Sequence, residues 1–117
     1  MRYHYLMYRR ADFSRADYLD YYVHNHSRFG LASPLADYYQ TYLDKESGRA
    51  LATLFGMQAL GADSISELRF ASLEDYLFSD TIAEVGPAAG ADEALFVDRE
   101  RCQGFSMDVL LDTGECD

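Results

Sequence analysis

Phe13-Ser14-Arg15-Ala16-Asp17-Tyr18-Leu19-Asp20-Tyr21-Tyr22-Val23-His24-Asn25-His26 is the stretch on which the reading of this chain turns. Tyr18, Leu19, Tyr22, Val23 and His26 recur at i, i+1, i+4, i+5 and i+8, which is one stripe of an α-helical period. Ser14 is a good N-cap, and Asp17, three residues on, is a weaker capping-box partner than Glu. Gly30 falls where a glycine would end the helix. His26 therefore lands on the face a core should bury, among tyrosines. An unperturbed histidine titrates near about 6.5, so its surroundings set its charge close to neutral pH. Two roles fit: a general base in an aromatic pocket, neutral when it works, or a structural histidine favoured by the helix dipole.

Upstream, Arg2 to Arg9 is aromatic and reads as a strand. Tyr3, Tyr5 and Met7 share one face; His4, Leu6 and Tyr8 share the other. Both faces are largely apolar, so both should be covered. Downstream, Pro34 punctuates, and Asp37 to Leu43 reads as a second strand with Tyr38, Gln40 and Tyr42 on one face. Lys45 to Ala62 carries a helical hint in Leu51, Leu54, Phe55 and Gln58. Gly48, Gly56 and Gly61 weaken that hint, and the segment reads as a loop with one or two turns. Ser64 to Ala71 alternates as a third strand, with Ser64 and Ser66 on one face. Ser72 can cap a short helix through Phe78. Gly86-Pro87-Ala88-Ala89-Gly90 reads as a break, after which helix resumes over Asp92 to Val97. Cys102 to Leu111 is the last strand, with Phe105, Met107, Val109 and Leu111 on one face. The order is βαββαβ. The expected fold is α+β and ferredoxin-like: a four-stranded antiparallel sheet with helices on one face. The other face then needs a cover, most simply a second copy of the chain.

Composition sets the outer limits. A chain of 117 residues is one domain, residues 1–117. Twenty acidic against ten basic residues give a formal charge of −10, which argues against nucleic acid and anionic membranes as partners. No apolar run is long enough to span a bilayer, and no signal-peptide core is present, so a cytoplasmic protein is expected. Cys102 and Cys116 form no CxxC, and Cys116 reads as a free thiol in a polar tail. Ten tyrosines, seven phenylalanines and no tryptophan suit a pocket for a flat, partly polar organic molecule, and equally suit strand packing.

Most catalytic chemistries leave no signature here. His24 and His26 point about 200° apart on a helix, and His4 is remote, so no metal site is expected. There is no glycine-rich phosphate loop and no nucleophile elbow, and Cys102 has no evident activating base. No cofactor is expected. What remains is acid–base chemistry, in which His26 and Tyr22, one turn apart, remove a proton from carbon and return one to oxygen.

Tyr5-Leu6-Met7-Tyr8-Arg9-Arg10, Phe13-Ser14-Arg15, Tyr18-Leu19-Asp20-Tyr21-Tyr22 and His26 together resemble the EthD-like group of dimeric α+β barrel proteins. Ala91-Asp92-Glu93-Ala94-Leu95-Phe96-Val97-Asp98 is similar to that group's Asp-Glu-x-x-Phe-Val-Asp signature, and Asp37-Tyr38-Tyr39-Gln40 looks like its second strand. The resemblance covers nearly the whole chain. It departs at Tyr22, where the family often has Trp, and at Ser27-Arg28-Phe29-Gly30, which lacks the family's Pro-Leu. The resemblance implies a homodimer closed sheet against sheet and a cavity between sheet and helices in each subunit. With strand parity, it puts Tyr3, Tyr5, Tyr22, Tyr38, Gln40, Tyr42, Ser66 and Phe70 on the cavity wall, with His26 and Tyr22 catalytic. The expected activity is that of a small lyase, cyclase, dehydratase or isomerase acting on a hydrophobic aromatic or polyketide-like substrate. A cofactor-free monooxygenase of a phenol, or a dimeric binding protein without turnover, would use the same cavity.

A sheet-to-sheet homodimer of this kind buries on the order of 2,000 Å² or more. Light scattering at micromolar concentration should return about twice the 13.3 kDa chain mass. A stable monomer there would contradict the dimer.

Overall fold

Two split β-α-β units share one sheet. The computed structural model describes residues 2–33, 35, 37–107 and 110–114. Its strands are β1 (Arg2–Met7), β2 (Asp37–Tyr42), β3 (Ser64–Arg69) and β4 (Gln103–Met107). They lie in the order β2-β3-β1-β4, and every neighbouring pair is antiparallel. An open four-stranded antiparallel sheet with helices is consistent with the ferredoxin-like class. The helical segments are α1 (Arg15–Tyr21), a π-helical turn (Tyr22–His26), α2 (Ser27–Ala32), α3 (Lys45–Leu54), α4 (Leu73–Leu77) and α5 (Asp80–Phe96). Among the described residues no helix is long and apolar enough to cross a membrane.

Register decides which side chains meet the helices. Tyr5 and Gln40 both pair with Ser66, and Met7 and Tyr42 both pair with Ser64. These residues therefore share one face. The helices are bolted to that face by buried hydroxyls. Tyr18 Oη lies 2.7 Å from Ser64 Oγ, and Tyr22 Oη lies 2.5 Å from Ser66 Oγ. Each tyrosine buries an apolar ring without orphaning its polar tip. Met7, Tyr18, Tyr22, Phe96 and Val97 form the core cluster. Phe96 is fully buried, 4.8 Å from the Tyr21 ring and 5.1 Å from the His26 ring. The opposite face carries Leu6, Ile65, Phe105 and Met107. His4 is buried there, stacked on Phe105 and bonded to Glu67 at 3.0 Å.

The helical stripe differs in one respect from its expected form. Tyr18, Tyr22 and His26 are buried, but Val23 is half exposed. In a regular α-helix each four-residue step overshoots a full turn by about 40°. The wider π turn removes that overshoot and keeps His26 in line with Tyr22. Ser14 caps α1 as expected, accepting from Asp17 N at 3.1 Å. Gly30 does not end the helix. It lies within α2, under the Tyr38 ring, where a Cβ would meet three ring atoms at 2.6 Å.

Two segments expected to be irregular are helices. Lys45–Leu54 is α3, capped by Asp44, which accepts from Ser47 N at 3.0 Å. Gly56 is its stop signal, at φ 67°, with Gly56 N bonded to Thr53 O and Met57 N to Ala52 O. That is a Schellman motif, so a glycine counted against the helix in fact terminates it. Gly86 to Gly90 likewise does not interrupt α5, and Pro87 sits inside it. An interior proline costs about 3 kcal/mol. The helix continues through it all the same, packed along α2 and the π turn. Ser72 caps α4 as expected, with Asp75 N at 3.1 Å. The last strand is described as Gln103–Met107 and does not extend to Leu111 as expected. Leu111 is exposed beyond it. Pro34, Val109 and Cys116 lie outside the described residues.

Phe96→Ala should destabilise the protein by about 3–5 kcal/mol, because it empties a fully buried site ringed by Tyr18, Tyr21, Tyr22 and His26. Urea denaturation measures this, and a loss below about 1 kcal/mol would mean that Phe96 does not pin α5 to the sheet.

Candidate functional site

Helix α5 presents Ile82, Val85, Gly86, Ala89, Gly90 and Glu93 to a cavity of about 190 Å³. Their spacing of three and four residues puts them on one helical face. The segment that reads as a break is therefore a smooth wall of small side chains. The sheet supplies the opposite wall through Tyr5, Tyr38, Ser66 and Leu68. Phe29 and Ser33, which flank α2's Gly30, close one end together with Tyr76 of α4. His26, Glu93 and Arg99 form the polar end.

His26 is buried, and both ring nitrogens face carboxylates. Nδ1 lies 2.9 Å from Asp92 Oδ2, and Nε2 lies 3.6 Å from Glu93 Oε1. Burial alone would lower its pKa, but hydrogen bonds to Glu93 and Asp92 and their negative charges outweigh burial and raise it above 6.5. The expectation was of a neutral histidine; the two carboxylates shift the balance toward the imidazolium. Asp92 is itself buried and shows the matching behaviour. Burial pushes its carboxyl up, yet Tyr21, His26 and Arg28 together hold it below its ordinary value. Tyr21 Oη donates to Asp92 Oδ1 at 2.6 Å, and Arg28 donates to the same oxygen at 3.4 Å. Glu93 is braced from outside by Arg99 at 3.5 Å.

The cavity phenols stay neutral. Burial, with smaller contributions from neighbouring groups, pushes Tyr5 up to about 12, and burial also raises Tyr38 and Tyr76. Each is a donor and an acceptor rather than a phenolate base. Burial raises the Cys102 thiol too, which counts against nucleophilic chemistry there. His24 lies exposed, 3.7 Å from Asp20, away from this site. Among the described residues no cluster of three or more His, Cys, Asp or Glu side chains is arranged to hold a metal ion.

Of the residues expected at the site, the structure brings His26, Tyr5, Tyr38 and Ser66 to the cavity. Among the described residues, its wall does not include Tyr3, Tyr22, Gln40, Tyr42 or Phe70. Tyr22 lies one layer back with its hydroxyl bonded to Ser66, and burial drives its pKa well up against the smaller, opposite effect of that bond. Gln40 also stands behind the wall, donating to Tyr38 Oη at 2.9 Å and to Tyr22 O at 2.8 Å. Tyr3 packs edge-on against Tyr5 at 4.9 Å. Tyr42 is exposed at the far end of its strand with Arg15 over its ring. Phe70 is covered by Tyr76, which stacks on it at 4.7 Å.

Sequence reasoning missed Asp92 and Glu93 as partners of His26, and Tyr76 and Arg99 at the cavity. The two carboxylates stood in a quoted motif, but no spacing rule connects residues 66 positions apart. No known family model matches the chain, and no curated protein matches it.

Linkage gives this site a pH signature. A histidine with a raised folded pKa contributes stability that is fully present below its ordinary 6.5 and is lost as pH rises through the higher folded value. Asp92, lowered from 3.8, contributes stability above that value and loses it as pH falls through its folded value. Urea midpoints should therefore be highest between these two ordinary values and decline on the alkaline side. His26→Gln should flatten the alkaline decline. An unchanged slope in that variant would show that the histidine is not held charged.

Proposed function

We propose that the chain is a cofactor-independent acid–base enzyme of the lyase, cyclase, dehydratase or isomerase type, acting on a hydrophobic, ring-bearing substrate. The observation that supports it is one buried histidine whose two nitrogens face two carboxylates at the polar end of an aromatic cavity. Asp92 accepts from Nδ1–H and fixes the ring's orientation, so that Nε2–H is the donor on the cavity side. Glu93 is the acceptor beside it. In this reading Glu93 removes a proton from the carbon next to a substrate carbonyl while the His26 imidazolium protonates the carbonyl oxygen. The product is an enol, and both protons are accounted for. Return of the carbon proton at a different position isomerises the substrate. Dehydration follows when the enol O–H proton returns to His26, the carbonyl re-forms, and hydroxide leaves the neighbouring carbon as water with the proton held by Glu93. Positioned proton transfer of this kind is worth about 10²- to 10⁴-fold.

We further propose the EthD-like dimeric barrel as the assembly, a cytoplasmic homodimer joined across the sheet face that carries Leu6, Ile65, Phe105 and Met107. The Asp92-Glu93 pair supports that likeness, because the quoted Asp-Glu motif supplies both carboxylates on His26.

Exchange of the methyl protons of acetophenone in D₂O, followed by NMR, tests the chemistry. The wild-type chain should accelerate exchange over buffer. His26→Gln and Glu93→Gln should each reduce the acceleration by about 10²-fold or more. The wild-type rate should fall as pH rises through the elevated His26 pKa, and that limb should be absent in His26→Gln. Exchange no faster than buffer, or unaffected by both substitutions, would contradict the proposal.

A further inference from the structure

We propose that Arg99 is the seat of a substrate carboxylate, so that the substrate is a ring-bearing oxo acid with its carboxylate on Arg99 and its carbonyl oxygen on His26. This rests on the acid–base reading for the reaction but not for the binding.

Arg99 lies against α5 where that helix has no side chain. A Cβ at Gly90 would stand 3.4 Å from Arg99 Nη1 and 3.9 Å from both Cζ and Nη2, so the guanidinium rests beside helix backbone. Glu93 follows Gly90 by about one helical turn. Arg99 reaches the Gly90 carbonyl at 3.5 Å and Glu93 Oε2 at 3.5 Å. Both contacts are long for hydrogen bonds, so the guanidinium keeps donor capacity for a ligand. Its planar fork matches the two oxygens of a carboxylate. Arg99 is also more than half exposed, so a carboxylate bonded to it stays partly hydrated. Such a group escapes most of the desolvation cost that a buried anion meets.

Charge favours an anion at this end, although the chain as a whole carries −10. His26, Arg28 and Arg99 surround Asp92 and Glu93, three cations against two carboxylates. Asp92 is not on the cavity wall and is shared by His26 and Arg28. Among the described residues, Glu93 is the wall's only carboxylate, and it stands between two cations. Its Oε1 faces His26 Nε2 at 3.6 Å and its Oε2 faces Arg99 Nε at 3.5 Å. The two cations are therefore about one carboxylate apart. A ligand that uses both needs its carbonyl and its carboxylate within a carbon or two of each other. Arg99 then has a second use. As Glu93 takes the proton from the carbon beside the carbonyl, negative charge builds on the carbonyl oxygen before His26 Nε2–H protonates it. Arg99 offsets the repulsion between that oxygen and the neighbouring carboxylate. The carboxylate is unchanged, and the product is the enol acid.

Isothermal titration calorimetry of the full chain with phenylpyruvate and phenylacetone tests this without requiring turnover. The two share ring, methylene and carbonyl, and differ in having a carboxylate or a methyl group on the carbonyl carbon. Phenylpyruvate should bind at least about tenfold more tightly, as a charge-assisted contact provides. Arg99→Gln should remove that preference by weakening phenylpyruvate alone, and Arg99→Lys should keep part of it. Arg101→Gln removes an equal charge from the Tyr8 ring, outside the cavity wall, and should change neither ligand. Circular dichroism should show all three variants folded. Phenylpyruvate that fails to bind or binds no tighter than phenylacetone overturns the carboxylate seat. So does a preference that survives Arg99→Gln, or an equal loss in Arg101→Gln. Exchange of the methylene protons of both ligands in D₂O, followed by NMR, separates the two claims. If Arg99 confers the preference but neither ligand exchanges faster than in buffer, the acid–base reading fails and the seat stands. If phenylacetone exchanges and phenylpyruvate has no preference, this inference alone fails.

Discussion

The 2.9 Å contact between His26 Nδ1 and Asp92 Oδ2 joins the two helical segments that bracket the cavity, the π turn after α1 and the last part of α5. Both partners are buried, so removing either takes the nearest partner from a buried polar atom of the other in a low-dielectric setting. Their position is set by apolar packing a few ångströms away. Phe96 lies one helical turn beyond Asp92, fully buried against Tyr18, Tyr21, Tyr22 and His26. Tyr18 and Tyr22 are in turn fastened to β3 through Ser64 and Ser66. The sheet therefore places the tyrosines, the tyrosines place Phe96, and Phe96 places the carboxylates.

The π turn is the local feature that makes this arrangement consistent. Three residues at steps of four drift by about 80° around a regular α-helix. Tyr18, Tyr22 and His26 are all buried, and the wider turn between the last two reduces that drift. Two of the three serve the core, and the third reaches the cavity with its partners already in place. Tyr22 was expected to be catalytic; its hydroxyl is bonded to Ser66 within the protein, and it is not among the residues that line the cavity.

Strand parity was legible in the sequence, because a period of two is short and each strand obeys it: Tyr5, Tyr38, Ser66 and Met7 all face the helices. His26 was legible as a buried histidine for the same kind of reason. Which strand residues reach a ligand was not, because parity gives a face and not a distance along it. Tyr42 and Tyr38 share a face, yet only Tyr38 sits beside α2. Helix α3 was misread because Gly56 was weighed as a helix breaker, whereas at positive φ it is the helix's C-terminal signal. The run through Pro87 was misread because tertiary packing overrides a local penalty of about 3 kcal/mol. The charge on His26 was beyond local patterns altogether, since it comes from residues far away in the chain.

The account depends on His26 being held as an imidazolium by two carboxylates. Heteronuclear NMR titration of its ring, assigned by comparison with His26→Gln, measures this directly. The account predicts a pKa above 6.5, with Nδ1 protonated throughout the titration, and a clear downward move in Asp92→Asn. A His26 pKa at or below 6.5, unmoved by the loss of the Asp92 charge, would contradict it.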